Sequence, residues 1–481
     1  MYPLRLRLLC LALSSLIIAS SCAQVSVGTP NTPPDPSAML DIQSTSKGFL
    51  FPRMTSAQRR SISNPAAGLV VFDTERQTLY LYNGTTWKAL SVTDISNTTT
   101  VSGTEVPDGA TGDALGSNVK LSGNYAVLSA YTDDIGANTD QGSAYVYKFE
   151  NGAWTFMQKL IANDGAAGDN FGGGVAIDSN YIMIGAFNDD IGENIDQGSV
   201  YVFKLESGVW NQKQKLTGSN GGPGDIFGIN IAMNNGNAVV GASRDDIGIA
   251  TDAGSAYIFK LNDTTSTWTE LQKVYPADGT AGDNFGNWVA ISGGKIVITA
   301  INDDANGTYR KGSTYIYSQQ TGNWVQTAKL VANDGAYNDN FGTHASIQGD
   351  FVLVGAYNAD GTYTNQGACY LFKFESNVWV QKQKIIALDP STNGFFGQTA
   401  SLKDNYAIIG AHGVNGLAGA AYVFQLNPAN STMTQLQKIT ATDAVSNDYF
   451  GYSTDIGNYN IIIGAYGKNG QRGKVYFKTI D

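Results

Sequence analysis

The chain is poor in the residues that most often build covalent or metal-based sites. Its 481 residues include only 3 cysteines and 2 histidines. Cys10 and Cys22 lie in or beside an apolar N-terminal segment, so a processed chain keeps only Cys369, which excludes an intramolecular disulfide. No later stretch approaches the roughly 18 uninterrupted apolar residues of a membrane-spanning helix. Proline is modest at 12 and glycine abundant at 56, a balance that suits short strands and tight turns.

Common catalytic motifs are also missing. The sequence contains no G-x-S-x-G, no H-E-x-x-H and no sialidase-type S-x-D-x-G-x-x-W motif. Basic residues are outnumbered, and the formal net charge is −11. An acidic protein repels phosphate backbones, so nucleic acid is not expected as a partner. Divalent cations, basic surfaces and uncharged glycans remain open.

The N-terminus has the pattern of a secretory signal peptide over residues 1–23. A positively charged start is followed by an apolar core at residues 8–18 and a small-residue cleavage site that ends at Ala23. We therefore expect a secreted or surface-exposed protein. The alternative is a lipoprotein acylated at Cys22, which is less favoured because an alanine stands where a large aliphatic residue is usual.

A linker and a small module precede the main part of the chain. Residues 24–36 are rich in proline and threonine and predict an extended linker, and residues 37–90 predict a small β-rich module with a hairpin. The wording A-Q-V-S-V-G-T and G-F-L-F-P-R-M-T resembles an N-terminal module common on secreted and tail-fibre-like proteins of Bacteroidetes. The resemblance implies a modular, surface-exported protein and says nothing about chemistry.

One sequence motif recurs along the rest of the chain. A Phe-Gly pair is followed by an apolar run such as I-M-I-G-A, and successive copies lie 54 to 58 residues apart. Seven units of one period, each too small to bury its own apolar face, indicate a repeat architecture. The first residue of the pair is Leu115, Phe171, Phe227, Phe285, Phe341, Phe396 and Phe450.

Each unit predicts four strands, named a to d, with a two- or three-residue hairpin between a and b. We therefore expect an all-β protein, in which residues 91–481 form a seven-bladed β-propeller of four-stranded antiparallel blades. The last unit lacks strand d, and we expect residues 98–106 to close that blade so that no edge stays open. In the second unit the predicted strands cover residues 174–177, 181–186, 199–204 and 210–216.

These repeats resemble the FG-GAP repeats of integrin-α-type propellers. The resemblance lies in the Phe-Gly pair, in D-G-A-A-G-D-N-F-G ahead of the unit, and in a W-x-x-x-Q-K strand. It implies the propeller fold but little about activity, because propellers host both binders and enzymes. The family holds calcium in a D-x-[DN]-x-D-G loop between strands a and b. The hairpins here are too short for that loop, so the family's metal residues are not transferred.

Two repeated features of strand d are interpreted as structural. Gln-Lys pairs are expected to protect the outer edge, because lysine discourages pairing with other strands. The tryptophans could form a ladder for sugar stacking, but identical placement in successive units favours an inter-blade role. They are Trp154, Trp210, Trp268, Trp324 and Trp379.

Three aspartate series are expected on one face, because the d–a and b–c links of a meander emerge on the same side. Two series lie in the d–a loops, two and seven residues before the Phe-Gly pair. The third lies in the b–c loops, where turn formation competes with calcium binding by carboxylates and carbonyls. The cofactor prediction is therefore calcium or none. The candidate calcium ligands are Asp134, Asp140, Asp190, Asp196, Asp246 and Asp252.

The favoured function is a non-enzymatic binding or adhesion propeller that presents an acidic loop face to an extracellular protein or glycan. One alternative is a glycan-directed hydrolase or lyase with carboxylates at the channel mouth, and another is a passive structural spacer. Trp288, His344, Gln398 and Tyr452 break the repeat symmetry and are the places to seek a unique site. The predicted ligand-binding face comprises Asp133, Asp134, Asp189, Asp190, Asp245, Asp246, Asp303, Asp304, Trp288 and His344.

Overall fold

The computed structural model describes residues 25–27, 40–42, 49–75, 78–89, 98–457 and 460–479. The chain divides into two units, Met1–Asp94 and Ile95–Asp481. The predicted signal peptide, with Cys22, lies outside the described residues. Within the described ranges, no helix is long and apolar enough to cross a membrane.

The described residues of the first unit form two small sheets and one short helix. One sheet pairs Val25–Val27 with Leu40–Ile42 in parallel. Helix Ser56–Arg60 packs beside the second sheet, and the Arg59 side chain contacts that sheet. Its guanidinium forms a 3.0 Å ion pair with buried Asp73 and lies 3.6 Å from the centre of the Tyr80 ring. The second sheet contains Arg53–Met54, Val70–Asp73, Thr78–Tyr82 and Trp87–Ala89.

The second unit is a seven-bladed β-propeller of four-stranded antiparallel sheets, as the sequence predicts. Strands a to d are Val119–Ser122, Tyr125–Ala130, Ser143–Glu150 and Ala153–Leu160 in blade one, and Phe171–Asp178, Tyr181–Ala186, Ser199–Glu206 and Val209–Leu216 in blade two. They are Ile231–Asn234, Asn237–Ala242, Ser255–Asn262 and Thr267–Val274 in blade three, and Phe285–Ser292, Lys295–Ala300, Ser313–Gln320 and Asn323–Leu330 in blade four.

The remaining blades follow the same order. A 3-10 turn, Ala305–Gly307, and two short helices, Val414–Leu417 and Lys468–Gln471, occupy the b–c links of blades four, six and seven. The strands are Phe341–Gln348, Phe351–Ala356, Ala368–Glu375 and Val378–Ile385 in blade five; Ala400–Lys403, Tyr406–Ala411, Ala420–Asn427 and Thr432–Ala441 in blade six; Ser453–Ile456, Asn460–Ala465 and Lys474–Thr479 in blade seven.

The hydrophobic cores lie between blades rather than within them. In blade two every residue of strand b, Tyr181–Ala186, is buried, because a neighbouring blade covers each face of the sheet. Strand d, Val209–Leu216, exposes one face at the periphery and alternates in burial. Ile462 and Val475 of blade seven share a core with Leu128 of blade one, which closes the ring.

The segment before blade one joins two blades, not one. Gly103–Thr104 pairs antiparallel with strand c of blade seven and supplies its fourth strand. Thr98–Val101 instead pairs in parallel with Thr432–Ala441 and adds a fifth strand to blade six. The prediction placed the whole of residues 98–106 on the last blade. It is wrong for residues 98–101, because the long outer strand of blade six offers an unpaired edge.

Glutamines connect the outer strands of neighbouring blades. The Gln158 amide donates to the Trp210 carbonyl at 2.8 Å, and its oxygen accepts the Trp210 N–H at 2.9 Å. Gln214 binds the backbone of Trp268 in the same way. The buried Trp210 ring meets Tyr125 of the preceding blade edge-on at 5.6 Å. The inter-blade interpretation of the tryptophans thus fits the structure, whereas the glutamines bridge blades instead of protecting an edge.

Candidate functional site at the mouth of the central channel

The first aspartate of each b–c pair is buried and bound within the fold. Asp189 is 6% exposed, accepts hydrogen bonds from Ser199 at 2.5 Å and Tyr201 at 3.1 Å, and pairs with Lys215 at 2.7 Å. Burial opposes a charged Lys215, but its bonds to Asp164 and Asp189 raise the lysine pKa above its ordinary value. The same arrangement occurs at Asp133, Asp245 and Asp303.

These four residues were predicted on the ligand-binding face, but the structure buries their carboxylates in ion pairs within the b–c loops, so it does not present them to a ligand. The sequence shows two adjacent aspartates in a polar loop, but the lysine that pairs with the first lies 26 or 28 residues later, near the end of strand d. Folding brings the two charges together, so a structural ion pair occupies the carboxylate.

The second aspartate of each pair is exposed and shapes its own loop. The Asp134 carboxylate accepts the backbone N–H of Asp140 at 2.9 Å, and Asp140 has a positive φ of 52°. This is the turn geometry expected where an Asx side chain bonds nearby backbone. Asp190 and Asp246 accept from Asp196 and Asp252 in the same way, and Asp304 accepts from Arg310.

Most carboxylates of the d–a loops are also engaged by the protein. Asp169 is 5% exposed and accepts the Ala166 N–H at 2.7 Å, and burial raises its pKa to about 6. Asp164 pairs with Lys215 at 2.8 Å. The corresponding loop aspartates pair with Lys159, Lys329, Lys384, Lys438 and Lys474, so the face is less negative than the sequence predicts.

The predicted calcium ligands do not form a suitable set. Calcium takes six to eight oxygens. Each b–c loop brings one predicted pair, such as Asp134 and Asp140, and one of the two carboxylates already binds backbone. Across the described residues, no three His, Cys, Asp or Glu side chains are grouped so that they could hold a metal ion. The geometry therefore does not support the calcium prediction.

Trp288 and His344 lie in the central channel rather than on the outer rim. Both follow the Phe-Gly glycine by two positions, where strand a faces the axis. Their rings are 3.8 Å apart at an angle of 32°, and Trp288 Nε1 donates to the Ala345 carbonyl at 2.9 Å. Most other blades carry small residues at this position, including Gly174. Trp288 therefore fills part of the channel and lines a cavity on each side.

The larger cavity lies at the end of the channel where the b–c and d–a loops meet. We call it the mouth cavity, and its volume is about 560 Å³. Every blade contributes to its wall, mainly through residues that follow the Phe-Gly pair or end strand b. The wall residues used below are Asn118, Tyr131, Phe187, Asn230, Gln398, His412, Tyr452 and Tyr466.

A connected group of aromatic side chains lies at this mouth in blades five to seven, and Tyr131, Phe187 and Trp288 add rings from blades one, two and four. Tyr466 lies 4.6 Å from Tyr452 and stacks on Tyr449 at 5.0 Å with an angle of 13°. His412 stacks on Phe395 at 5.0 Å with an angle of 15°, and it contacts Tyr452 at 5.5 Å. We call Tyr357, Phe395, His412, Tyr449, Tyr452 and Tyr466 the mouth aromatic cluster.

Burial sets the protonation of this cluster. It lowers the pKa of His412 to about 4, so the imidazole is neutral at neutral pH and presents a flat, uncharged ring. Burial and the nearby phenols of Tyr131 and Tyr357 raise the pKa of Tyr452, which keeps its hydroxyl protonated. The wall is therefore an uncharged, aromatic and hydrogen-bonding surface.

Amides complete the wall of the mouth cavity. Asn118 Nδ2 donates to the Gly173 carbonyl at 2.7 Å, and Asn230 Nδ2 donates to the Asn287 carbonyl at 2.6 Å. Their carbonyl oxygens are thus the groups left for a ligand. The sequence had singled out Gln398 and Tyr452, which both line the cavity. It missed His412 and Tyr466, whose only signal is an aromatic residue directly after the alanine that ends strand b.

The chain is similar to several solved structures at low sequence identity. No curated protein matches the chain. Among solved structures, a Lactobacillus plantarum protein shares 12% identity at a TM-score of 0.44, covering 74% of this chain and 99% of its own. A Bacteroides uniformis protein named as a proposed 6-phosphogluconolactonase shares 12% at 0.48, covering 76% and 92%. These likenesses carry no information on ligand or activity.

Two families match the sequence directly. The phage tail-like trimerisation region matches residues 26–103. The FG-GAP repeat matches seven segments, which together make up more than half of the chain: residues 106–147, 154–203, 210–259, 268–317, 324–372, 379–424 and 433–477. The chain therefore belongs to the FG-GAP repeat family and carries a phage tail-like trimerisation region ahead of its repeats.

Proposed function

We propose that the protein is a secreted or cell-surface binding propeller whose mouth cavity receives part of a glycan. The observation that carries this proposal is a single cavity of about 560 Å³ whose wall combines stacked aromatic rings with side-chain amides. Ligand sites usually have this size and this mixture of apolar surface and a few polar groups. FG-GAP repeats are typically extracellular, which fits the expected export.

The chemistry of the wall suits sugar rings. Tyrosine offers an apolar ring face together with a polar hydroxyl. The C–H face of a sugar can pack on Tyr452 or Tyr466, while its hydroxyls bond to amide oxygens such as those of Asn118 and Asn230. No charged partner is needed, which fits a wall that holds a neutral His412.

The wall favours binding over carboxylate-based hydrolysis. Glycosidases generally place two carboxyl groups about 5 to 10 Å apart on either side of the bond to be cleaved. Of the residues that the structure describes, no aspartate or glutamate lines the mouth cavity. The many rim carboxylates point elsewhere, into ion pairs and turns such as those of Asp189 and Asp134.

We further propose that the chain acts as a homotrimer, because residues 26–103 match a trimerisation region. Three linked propellers would bind a repetitive surface with an avidity far above the affinity of one site. Light scattering on the purified full chain should give three times the monomer mass, whereas a chain of residues 95–481 should be monomeric. A full-length chain that remains monomeric at all concentrations would contradict this proposal.

Replacing Tyr466 with alanine should weaken glycan binding by about tenfold or more, because the wall loses one ring of the mouth aromatic cluster. The measurement is a glycan array with the wild-type protein, followed by calorimetry on the best oligosaccharide. Mass spectrometry of the same mixtures should show no cleavage products.

Two matched variants control for folding and for general aromatic contacts. Tyr466→Phe keeps the ring and should bind within about threefold of wild type. Tyr337 lies in a loop outside the cavity wall and is 70% exposed, so Tyr337→Ala should leave the affinity for the glycan unchanged. Equal affinity of Tyr466→Ala and wild type, or release of sugar products, would overturn the proposed function.

A further inference from the structure

A second cavity lies on the other side of Trp288, towards the a–b hairpins. Its volume is about 190 Å³, so it suits a molecule the size of one sugar ring rather than a polymer. At the strand-a position where blades two to four carry alanine, this cavity gathers polar side chains from blades one, five, six and seven. Its polar lining residues are Lys120, His344, Ser346, Ser401 and Asp455.

Two of these groups are buried without hydrogen-bond partners. His344 is only 2% exposed, and in the described part of the chain neither ring nitrogen forms a hydrogen bond, although the Ala400 backbone lies near it. The Ser346 hydroxyl is likewise buried and unpartnered. A buried polar group without a partner is costly, so two that line one cavity point to a ligand that satisfies them.

Lys120, the cation of this cavity, forms no direct ion pair with a described residue. Among the described residues, the Lys120 ammonium forms no hydrogen bond and no ion pair within 4 Å; it lies 5.1 Å from the centre of the Trp288 ring, and it interacts at longer range with Asp455 and His344. Asp455 stands on the adjacent strand a, but one of its oxygens already accepts the Leu121 N–H at 2.7 Å. The free groups are therefore mainly donors, which favours a negatively charged oxygen ligand.

We propose that this cavity binds a small hydroxycarboxylate, the chemistry of a uronic acid. Lys120 pairs with the carboxylate, and His344 and Ser346 bond to oxygens that neighbour it. The Trp288 ring, which lines the cavity, covers the C–H side of the molecule. The ligand is either a free monosaccharide acid or the terminal residue of an acidic polysaccharide.

Calorimetry with glucuronate, galacturonate and glucose tests the proposal on the full-length protein. Either uronate should bind at least tenfold more tightly than glucose, which has a neutral group in place of the carboxylate. Lys120→Met should weaken uronate binding at least tenfold, and Ser346→Ala a few-fold. Lys148→Met is the control, because Lys148 is an exposed lysine paired with Glu150.

An oligogalacturonide arm separates the two sources. If the oligomer binds as tightly per end as the monomer, the ligand is a chain terminus, and if only the monomer binds, it is a free acid. Tyr466→Ala should leave uronate binding unchanged, so failure here is distinct from failure at the mouth cavity. Uronates that bind no better than glucose would overturn the proposal. So would a folded Lys120→Met and a Ser346→Ala that both bind uronates like wild type.

Discussion

Replacing Gly241 with alanine should lower the free energy of unfolding by about 3 kcal/mol or more. A Cβ at Gly241 would overlap the carbonyl oxygen of Gly286 in the next blade. Both atoms belong to backbone in paired sheets, so neither can move aside without parting two blades. The expected result is a fall in melting temperature of about 5 °C or more, measured by circular dichroism.

Blade one provides the matched control for this substitution. In blade one the position of Gly241 is occupied by Ser129, so the packing there already accommodates a Cβ. The neighbouring blade is close: a Cβ added at Gly172 would lie 3.2 Å from the Ser129 Cβ. Ser129→Ala keeps a Cβ and loses the hydroxyl, which accepts the Asn118 backbone N–H at 2.9 Å and lies 2.8 Å from the Ser117 hydroxyl, so it should cost about 1 to 2 kcal/mol. Equal losses for Gly241→Ala and Ser129→Ala would contradict the proposed close packing of blades.

Replacing Asp189 with alanine should destabilise the protein by about 3 to 5 kcal/mol, although a loop aspartate is ordinarily dispensable. The substitution leaves Lys215 and the hydroxyls of Ser199 and Tyr201 without their common acceptor. The Lys215 side chain is 28% exposed and keeps Asp164 at 2.8 Å, so the lower end of that range is expected. Urea unfolding monitored by tryptophan fluorescence measures the loss.

Blade five shows how the sequence tolerates the absence of this carboxylate. It has Ala359 where blade two has Asp189, and Ala368 where blade two has Ser199, and Lys384 retains only Asp334 at 2.7 Å. We therefore expect Asp189→Ala with Ser199→Ala to cost less than the sum of the single changes, by about 1 kcal/mol.

The neighbouring aspartate supplies the control for this cycle. Asp190 is exposed and accepts one backbone N–H, from Asp196, so Asp190→Ala should cost no more than about 1 kcal/mol. An Asp189→Ala variant as stable as Asp190→Ala would show that the buried ion pair between Asp189 and Lys215 does not contribute to the free energy of unfolding.

The propeller could be predicted because its signal is repeated. A Phe-Gly pair at a nearly constant period and the short a–b hairpins specify the same blade seven times. A unit whose pattern is weak, such as the first with Leu115, can therefore be assigned by comparison with the other units. The closing segment was predicted only in part. Thr98–Val101 has no repeat to compare with, and its partner is chosen by the edge that blade six leaves open.

The candidate site was harder to predict for two physical reasons. A carboxylate in a loop looks exposed in the sequence, but the partner of Asp189 lies on strand d and meets it only after the blade folds. The mouth aromatic cluster is assembled from single residues such as His412 and Tyr466, which lie 54 positions apart in different blades. The aromatic residue after the alanine that ends strand b recurs in most blades, so the repeat gave no reason to interpret it as a binding residue rather than as packing.

The most direct test compares the channel mouth with the acidic rim. One variant removes two rings of the mouth, Tyr452→Ala with Tyr466→Ala, and another neutralises the exposed rim carboxylates at Asp134, Asp190, Asp246 and Asp304 with asparagine. Binding of both to the best array oligosaccharide is measured by calorimetry at one salt concentration. We expect the mouth variant to lose binding and the rim variant to match wild type within about twofold. Loss of binding in the rim variant with retention in the mouth variant would contradict the placement of the site.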